Sequence, residues 1–589
     1  MAKTNTKKPT AGSSTGLGKP GSMSTWQLAL MTAAAVISLR GLPMMAQEEL
    51  TMFFYILFAT VLFLIPASLV SAELGGAFAA KGGGVYTWVK EAYNKKAGFL
   101  AIFLQWIQNV AWYPIVLGFA AAAIAYTIGK PELADNGKFV GIFSIAVYWL
   151  ATLLTFKGSS IVSKITSRGF LIGTVLPGIV IIVMALVWII GGNPIAFKEL
   201  PASVPEIASV TAGHPHPRFF PHMTGLSDLA FLAGIVLLFA GVEVHAVHAN
   251  ELRNPQKQYP KAMFIAAIMS FLIFTLGALA MAVITPYKDI SLQSGLMESF
   301  RYVFDHYHIG WMTNVVSLLV AFGALAGVLS WIAGPSRGLL WTARDGELPQ
   351  SLTKTNKNGV QKNILLIQGG IVTLLSLFYI FIKNVNVAWF LLSALTVGLY
   401  LIMYMLMYAS AIKLRRTQPD LPRAYKVPGG NAGMWLIAGI GFLAVLFSFV
   451  LTFFPPSQLP VGSPATYTAL VAGGTILFVA IPLIVSSVMA KKEPLRVQGR
   501  KAPERASNPS PIRQEGTDFS QLRAFFLLQS NRPPPSPKGG GRSFPDTPKR
   551  TAERDRTDRQ SLKITTKIHN YNTSETCLFN LYSIILFTQ

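Results

Sequence analysis

Cysteine, acidic residues and charge in general are scarce in this sequence, and each scarcity excludes a class of protein. A single cysteine, Cys577, in 589 residues rules out a disulfide framework and a cluster of metal-binding thiolates. Charged residues make up 13% of the chain and hydrophobic residues 52%, with a mean hydropathy of +0.46. A soluble globular domain carries about twice that share of charge. The net charge of +24 lies in short loops and in the tail, so we expect no nucleic-acid-binding surface.

Long hydrophobic runs are abundant instead, and many are close to the roughly 20 residues that cross a bilayer. We therefore predict an all-α polytopic membrane protein embedded in the lipid bilayer, with about twelve transmembrane helices. The predicted spans, numbered one to twelve, are 25–45, 52–73, 98–128, 140–156, 169–190, 229–250, 262–284, 311–334, 364–382, 387–412, 435–454 and 467–490. They form a membrane domain over 25–492, preceded by a segment at 1–24 and followed by a tail at 493–589.

Lysine and arginine concentrate in alternate loops, and this bias determines the predicted orientation. Examples are Lys95 and Lys96 after span two and Arg415 and Arg416 after span ten, whereas the opposite loops hold few basic residues. We expect both termini to lie in the cytoplasm, at a bacterial-type inner membrane, and the first span to be retained. The tail is rich in Arg, Ser and Pro, which predicts disorder. Its last apolar run, 577–587, is either an interfacial segment or the product of a frameshifted gene end.

Span six is an unusual membrane helix because a glycine and a carboxylate, Gly241 and Glu243, interrupt its apolar run. Glycine weakens helix propagation, and an ionised carboxylate in hydrocarbon costs several kcal/mol unless it faces a cavity or finds a partner. The span is either a broken helix that lines a polar site or a packed helix whose glutamate caps a neighbour. His245 and His248 follow; histidine titrates near neutral pH, but a helix-end hydrogen bond is the simpler role for His248.

Three segments carry a family resemblance. They are AELGGAFAAKGGGVYTWVKEAY at 72–93, FAGVEVHAVHANELRNPQKQYPKA at 239–262 and GPSRGLLWTARDGELPQSLTKTNKNGV at 334–360. Each alone could be an ordinary loop or helix end. Together, in this order and spacing, they resemble the amino acid–polyamine–organocation transporter family over about residues 25–492. PDLPRAYKVPGG at 419–430 makes the glutamate/γ-aminobutyrate antiporters the branch that this sequence is most similar to.

The resemblance implies two inverted five-helix repeats, spans one to five and six to ten, with two extra helices. Spans one and six would be broken at mid-membrane, where exposed backbone groups bind the substrate. The positions that correspond are Ala34, Ala35, Ile37, Ser38, Phe239, Ala240 and Gly241. Span one reads MTAAAVISLRGLP at 31–43, and its alanines favour a helix. Unwinding there is therefore implied by the resemblance and not by residue chemistry.

Other candidate residues each have two interpretations. Tyr400 and Tyr404 lie one helical turn apart in span ten; they form a packing stripe or, as the resemblance implies, contact the substrate. Trp331 in span eight either packs against neighbouring helices or acts as a gate to the substrate site. Arg40, near the end of span one, extends its charge to the interface or faces the outer vestibule and attracts carboxylates.

We expect a secondary transporter that exchanges amino acids, as glutamate/γ-aminobutyrate antiporters do, by alternating access. Glu243 is the candidate for coupling protonation to conformation, and span five holds no lysine where some proton-coupled relatives have one. An uptake permease coupled to protons and a non-transporting nutrient receptor are the alternatives. An enzyme is disfavoured because no nucleophile–base set or metal-ligand cluster lies in the spans. We expect small-molecule amino acids as partners and no cofactor or metal; the sequence does not determine the oligomeric state.

Overall fold

The computed structural model describes residues 21, 23–79, 81, 83–198, 219–221, 225–245, 251–382, 384–423, 425–455 and 463–499. In these residues the regular structure is helical, apart from one isolated bridge between Met23 and Leu252. Within the described ranges, eleven helices are long and apolar enough to cross a membrane, and a shorter apolar helix, Leu226–Leu238, follows the fifth of them. The prediction of an all-α polytopic membrane protein is confirmed.

The helical segments follow the predicted order, and we keep the span numbers for them. Spans one to six are Thr25–Ala46, Glu49–Ala77, Lys95–Thr127, Gly137–Phe156, Lys164–Ile190 and Leu226–Leu238. Spans seven to twelve are Lys257–Ile284, Trp311–Arg344, Lys362–Phe381, Val385–Thr417, Gly430–Leu451 and Pro464–Met489. The helix of span twelve continues to Gly499, past the boundary that composition placed at residue 492. Shorter helices outside the spans are Val85–Ala92 and Gly295–His306.

Proline explains the irregular turns inside spans two and five. Each of these spans widens into a π-helical turn, at Ala59–Leu64 and Leu171–Val175. A proline lies two residues after each turn, Pro66 in span two and Pro177 in span five. Proline has no amide hydrogen to donate and its ring clashes with the carbonyl four residues earlier. The wider turn accommodates that carbonyl without ending the helix.

Spans three, eight and ten form the centre of the molecule. Span three packs against both of the others along its length, and small residues such as Gly118 and Ala120–Ala123 let neighbouring helices approach closely. Span twelve, by contrast, exposes most of its apolar side chains. The centre is therefore where polar side chains can be shielded from lipid.

A buried ion cluster corrects one sequence-based expectation. Arg40 and Glu243 are the only charges well inside the predicted spans, but Glu73 and Arg415 also lie within helices and are buried. Glu73 accepts hydrogen bonds from Nε and Nη2 of Arg415 at 2.5 and 2.6 Å and from the amide of Val427 at 2.7 Å. Nε of Arg423 lies 3.1 Å from the same carboxylate. The prediction missed the cluster because it ended span two at residue 73 and span ten at residue 412, which put Glu73 at the very end of its span and Arg415 in a loop.

A second charged contact joins the helix after span two to the end of span eight. Asp345 accepts from Lys90 Nζ at 2.6 Å and from the Tyr86 hydroxyl at 2.7 Å. Partial burial by itself raises the pKa of Asp345, but the hydrogen bonds from Lys90 and Tyr86 and the charge of Lys90 outweigh it and lower the pKa below its usual value. This carboxylate therefore stays ionised at neutral pH and holds the two segments together.

Candidate substrate and coupling site

Span one is broken at Ile37 and Ser38. The first half of the span is helical up to Val36, and the two break residues are extended, with φ/ψ of −75°/116° and −139°/123°. A 3₁₀ turn, Leu39–Gly41, then leads into a second short helix. The alanines lie in the helix and the break begins after them, at a β-branched residue that tolerates extended backbone well. The break implied by the resemblance is thus present, within the predicted region.

Span six is broken at Phe239–Gly241, directly after its helix ends at Leu238. Gly241 has φ = +114°, a backbone conformation that side chains with a Cβ rarely adopt. A Cβ at this position would also lie 3.2 Å from Cζ2 of Trp331. Conformation and close approach therefore both favour glycine here. The helix ends where the broken-helix interpretation of span six places the interruption, and residues 246–250 beyond it lie outside the described residues.

The Glu243 carboxylate lies just beyond this break and is 1% exposed. Its Oε1 accepts from Nε2 of Gln105 at 2.9 Å and from the hydroxyl of Tyr400 at 2.5 Å, and its Oε2 accepts from the hydroxyl of Tyr404. Among the described residues no lysine, arginine or histidine lies within 4 Å of it. The described donors that hold this buried carboxylate are all neutral.

Tyr404 connects the carboxylate to the break itself. Its hydroxyl donates to Glu243 and accepts a hydrogen bond from the amide of Gly241 at 2.9 Å. A protonated carboxyl carries an O–H that must donate, and its hydroxyl oxygen is a weaker acceptor than a carboxylate oxygen, so protonation of Glu243 changes the hydrogen bonds that its three partners make. Any rearrangement that releases Tyr404 also changes the bonding of the Gly241 amide. Proton binding at Glu243 and backbone geometry at the break are therefore chemically linked.

Trp331 of span eight contacts the helix end before the break in span one and the break in span six. Its indole Nε1 donates to the carbonyl of Ala35 at 3.1 Å, and its ring borders Gly241. Its own carbonyl accepts from Nδ2 of Asn109 at 3.2 Å, and its ring packs against Trp112 with centroids 5.6 Å apart. A residue so placed supports the gate interpretation as well as the packing one.

Two narrow cavities lie beside Trp331. The larger has about 30 Å³ of free volume and lies between spans one, three, five and eight; the smaller has about 20 Å³ and lies between the two breaks. Each is large enough for a water and too small for an amino acid, so the site is closed in this conformation. Of the predicted substrate-binding residues, those that line a cavity are Ala34, Ala35, Ile37, Ser38, Ala240 and Tyr400; Phe239, Gly241 and Tyr404 do not.

Arg40 lines the smaller cavity and is 5% exposed. Its guanidinium lies 5.4 Å from the ring centroid of Trp112. The side chain does not reach the surface in this conformation, so it does not extend its charge to the interface here.

Span three contributes polar residues that the sequence analysis missed. Gln105, Gln108 and Asn109 are buried and lie on one face of an otherwise apolar helix; Gln105 binds Glu243, and the other two line the smaller cavity. Their spacing of three and four residues places them on one helix face, and this pattern could have indicated a polar site.

Of the two histidines in predicted span six, the structure describes one. His245 is buried, and His248 and the loop histidines His214, His216 and His222 lie outside the described residues. In the part of the chain that the structure describes, no group of three or more His, Cys, Asp or Glu side chains is placed to hold a metal ion.

A bundle of membrane helices with two adjoining breaks around a polar network is the architecture of a membrane transporter. A family model described as amino acid permease matches residues 23–479. The chain belongs to this family of amino acid–polyamine–organocation transporters, and it is an integral membrane protein.

Individual relatives are also bacterial membrane transporters. An uncharacterised transporter of Legionella pneumophila is 39% identical over 78% of this chain and 95% of its own length. A glutamate/γ-aminobutyrate antiporter of Lactococcus lactis is 32% identical over 78% of this chain and 90% of its own. A probable agmatine/putrescine antiporter of Lactococcus lactis is 24% identical over 68% and 82%. The second and third of these names describe antiporters of amino acids or amines.

Proposed function

We propose that this protein exchanges amino acids across a bacterial cytoplasmic membrane by alternating access, with both termini in the cytoplasm. The substrates would be those of a glutamate/γ-aminobutyrate antiporter. The observation that carries the proposal is the connected path from Glu243 through Tyr404 to the amide of Gly241, which lies beside the cavity between the two breaks. A broken helix with an ionisable group at its break is suited to coupling a proton or a substrate to movement.

Exchange is favoured over uptake coupled to protons. Span five carries Gly173 and Thr174 where it lines the larger cavity, and has no lysine there that could replace a coupling ion. Counterflow in liposomes separates the two. For an antiporter, labelled glutamate enters only vesicles preloaded with an amino acid, whereas an uptake permease also fills empty vesicles when a proton gradient is imposed. No flux under either condition would favour a receptor.

Glu243 provides the test of coupling. Its replacement by glutamine, Glu243→Gln, keeps the side-chain shape and some hydrogen bonds but cannot bind or release a proton. We expect it to fold and to exchange substrates with a flat pH profile between pH 5 and pH 8. Glu243→Ala also removes the acceptor for Gln105, Tyr400 and Tyr404, so exchange should be weak at every pH.

Glu298→Gln is the matched control, since Glu298 is a partly buried carboxylate outside both cavities that accepts from Ser294 at 2.6 Å. It should keep the pH profile of the unmodified protein. An unchanged pH profile in Glu243→Gln would mean that Glu243 serves only as a hydrogen-bond acceptor in the fold. It would not contradict the proposed exchange.

A further inference from the structure

Arg40 is a buried cation without a counter-charge among the described residues. None of the described carboxylates lies within 4 Å of its guanidinium, and its Nε has no hydrogen-bond acceptor there. The contact with Trp112 offsets only part of the cost of removing a charge from water. The buried cations at the end of span ten differ in this respect: Arg415 and Arg423 share the carboxylate of Glu73. A buried, unpaired cation at membrane depth marks a functional site.

The surroundings of Arg40 indicate what would compensate it. It shares the smaller cavity with Ser38, Asn109 and Tyr400, and Oδ1 of Asn109 is also buried without a hydrogen-bond partner. The cavity therefore presents a cationic donor and a neutral acceptor, both unsatisfied, to whatever enters it. A ligand with a carboxylate and an N–H donor would satisfy both.

Charge decides which carboxylate Arg40 binds. The α-ammonium and α-carboxylate of an amino acid cancel each other, so a neutral amino acid brings no net charge to an uncompensated arginine. Backbone amides at a helix break bind the α-carboxylate without any side-chain charge. A carboxylate at the side-chain position, which glutamate has, γ-aminobutyrate retains and glutamine lacks, supplies the missing negative charge.

We infer that Arg40 forms a subsite for the side-chain carboxylate of the substrate, so that the protein selects acidic amino acids over their neutral amides. This inference rests on the proposed exchange of amino acids. It also predicts that diamines and cationic amino acids, which Arg40 repels, are poor substrates.

Glutamate and glutamine provide the test because they have nearly the same shape and differ in charge. In counterflow with purified protein in liposomes, we expect the KM for glutamate to be at least tenfold lower than that for glutamine, the size of one charge-assisted hydrogen bond. Arg40→Gln should raise the KM for glutamate at least tenfold and change that for glutamine less than threefold. Arg40→Lys should restore part of the preference. Arg301→Gln removes an exposed arginine paired with Asp305, outside both cavities, and should leave the ratio unchanged.

Three results would overturn the inference. The first is an equal loss for glutamate and glutamine in Arg40→Gln, which would assign Arg40 to the α-carboxylate or to the fold. The second is a preference of the unmodified protein for glutamine, and the third is robust exchange of lysine or putrescine. If no amino acid is exchanged at all, the proposed function itself fails. Should Arg40→Gln not fold, thermal unfolding of the unmodified protein decides: glutamate must raise the midpoint more than glutamine at equal concentration, and equal shifts refute the subsite.

Discussion

Replacing Glu73 with glutamine removes one charge from a buried cluster and keeps its shape. The carboxylate accepts three hydrogen bonds of 2.5 to 2.7 Å, two from Arg415 and one from the Val427 amide, and lies 3.1 Å from Arg423. A glutamine side chain has one oxygen and one NH₂ group, so its NH₂ must face a donor. If the amide oxygen takes the place of Oε2, which accepts two of the three bonds, at least one charge-assisted bond of about 1.5–3 kcal/mol is still lost, and the NH₂ group then faces Nε of both Arg415 and Arg423. Two buried guanidiniums are also left without an anion.

We therefore expect Glu73→Gln to lower the free energy of unfolding by about 3–5 kcal/mol, the cost of breaking a buried ion pair. Arg415→Met should cost less, because Glu73 keeps Arg423 and the Val427 amide. The double variant should be about 1–3 kcal/mol more stable than the sum of the single changes predicts, since the partners are coupled. The measurement is unfolding of purified protein in mixed micelles.

Glu91→Gln is the control for this cycle. Glu91 pairs with Lys81 at 3.0 Å, but the lysine is 55% exposed, so the change should be below about 1 kcal/mol. If Glu73→Gln unfolds like the control, or if the effects of Glu73→Gln and Arg415→Met simply add, the cluster is not the coupled network described above.

Two further changes test the break and the second charged contact. Gly241→Ala should lower exchange and reduce the free energy of unfolding by about 1–3 kcal/mol, because φ is +114° there and the new Cβ meets Trp331. Gly439→Ala is the control, since a Cβ there meets no neighbour, and it should lower neither exchange nor stability. Equal behaviour of the two variants would contradict the strain argument. Asp345→Asn should lower stability at pH 7 by up to about 1 kcal/mol, since the contact is partly exposed. Because the pKa of Asp345 is lowered in the folded protein, this contribution to stability is present at pH values above the usual pKa of 3.8 and is lost as the pH falls below it. The difference in unfolding free energy between the unmodified protein and the variant should therefore close in acid. A difference that stays constant with pH would refute this.

The order of the helices and the break in span six could be predicted from the sequence, whereas the partners in the site could not. Hydropathy depends on local composition, and Gly241 with Glu243 disrupts a span locally. The break at Ile37 and Ser38 needs no glycine, since both residues have negative φ, and so only the family resemblance indicated it. Periodicity placed Tyr400 and Tyr404 on one face, but that both donate to Glu243 depends on how spans six and ten pack.

Gln105 and Arg415 show the same limit. Gln105 lies far from Glu243 in sequence and binds it only because span three crosses the centre of the bundle. The predicted spans place Arg415 among several loop cations. In the structure the helix of span ten continues to Thr417, and Arg415 pairs with Glu73. Contacts between distant segments carry no signal in a single sequence.

The bridge at Met23 and Leu252 has a mechanical consequence. The amides of Gly21 and Met23 both donate to the carbonyl of Glu251, at 2.9 and 3.2 Å. The chain entering broken span one is thus tied to the segment behind broken span six. Separating the two segments breaks two hydrogen bonds and costs about 2 kcal/mol. A movement of one segment is therefore transmitted to the other. A protein fused ahead of residue 21 would therefore act directly on the contact between these two segments.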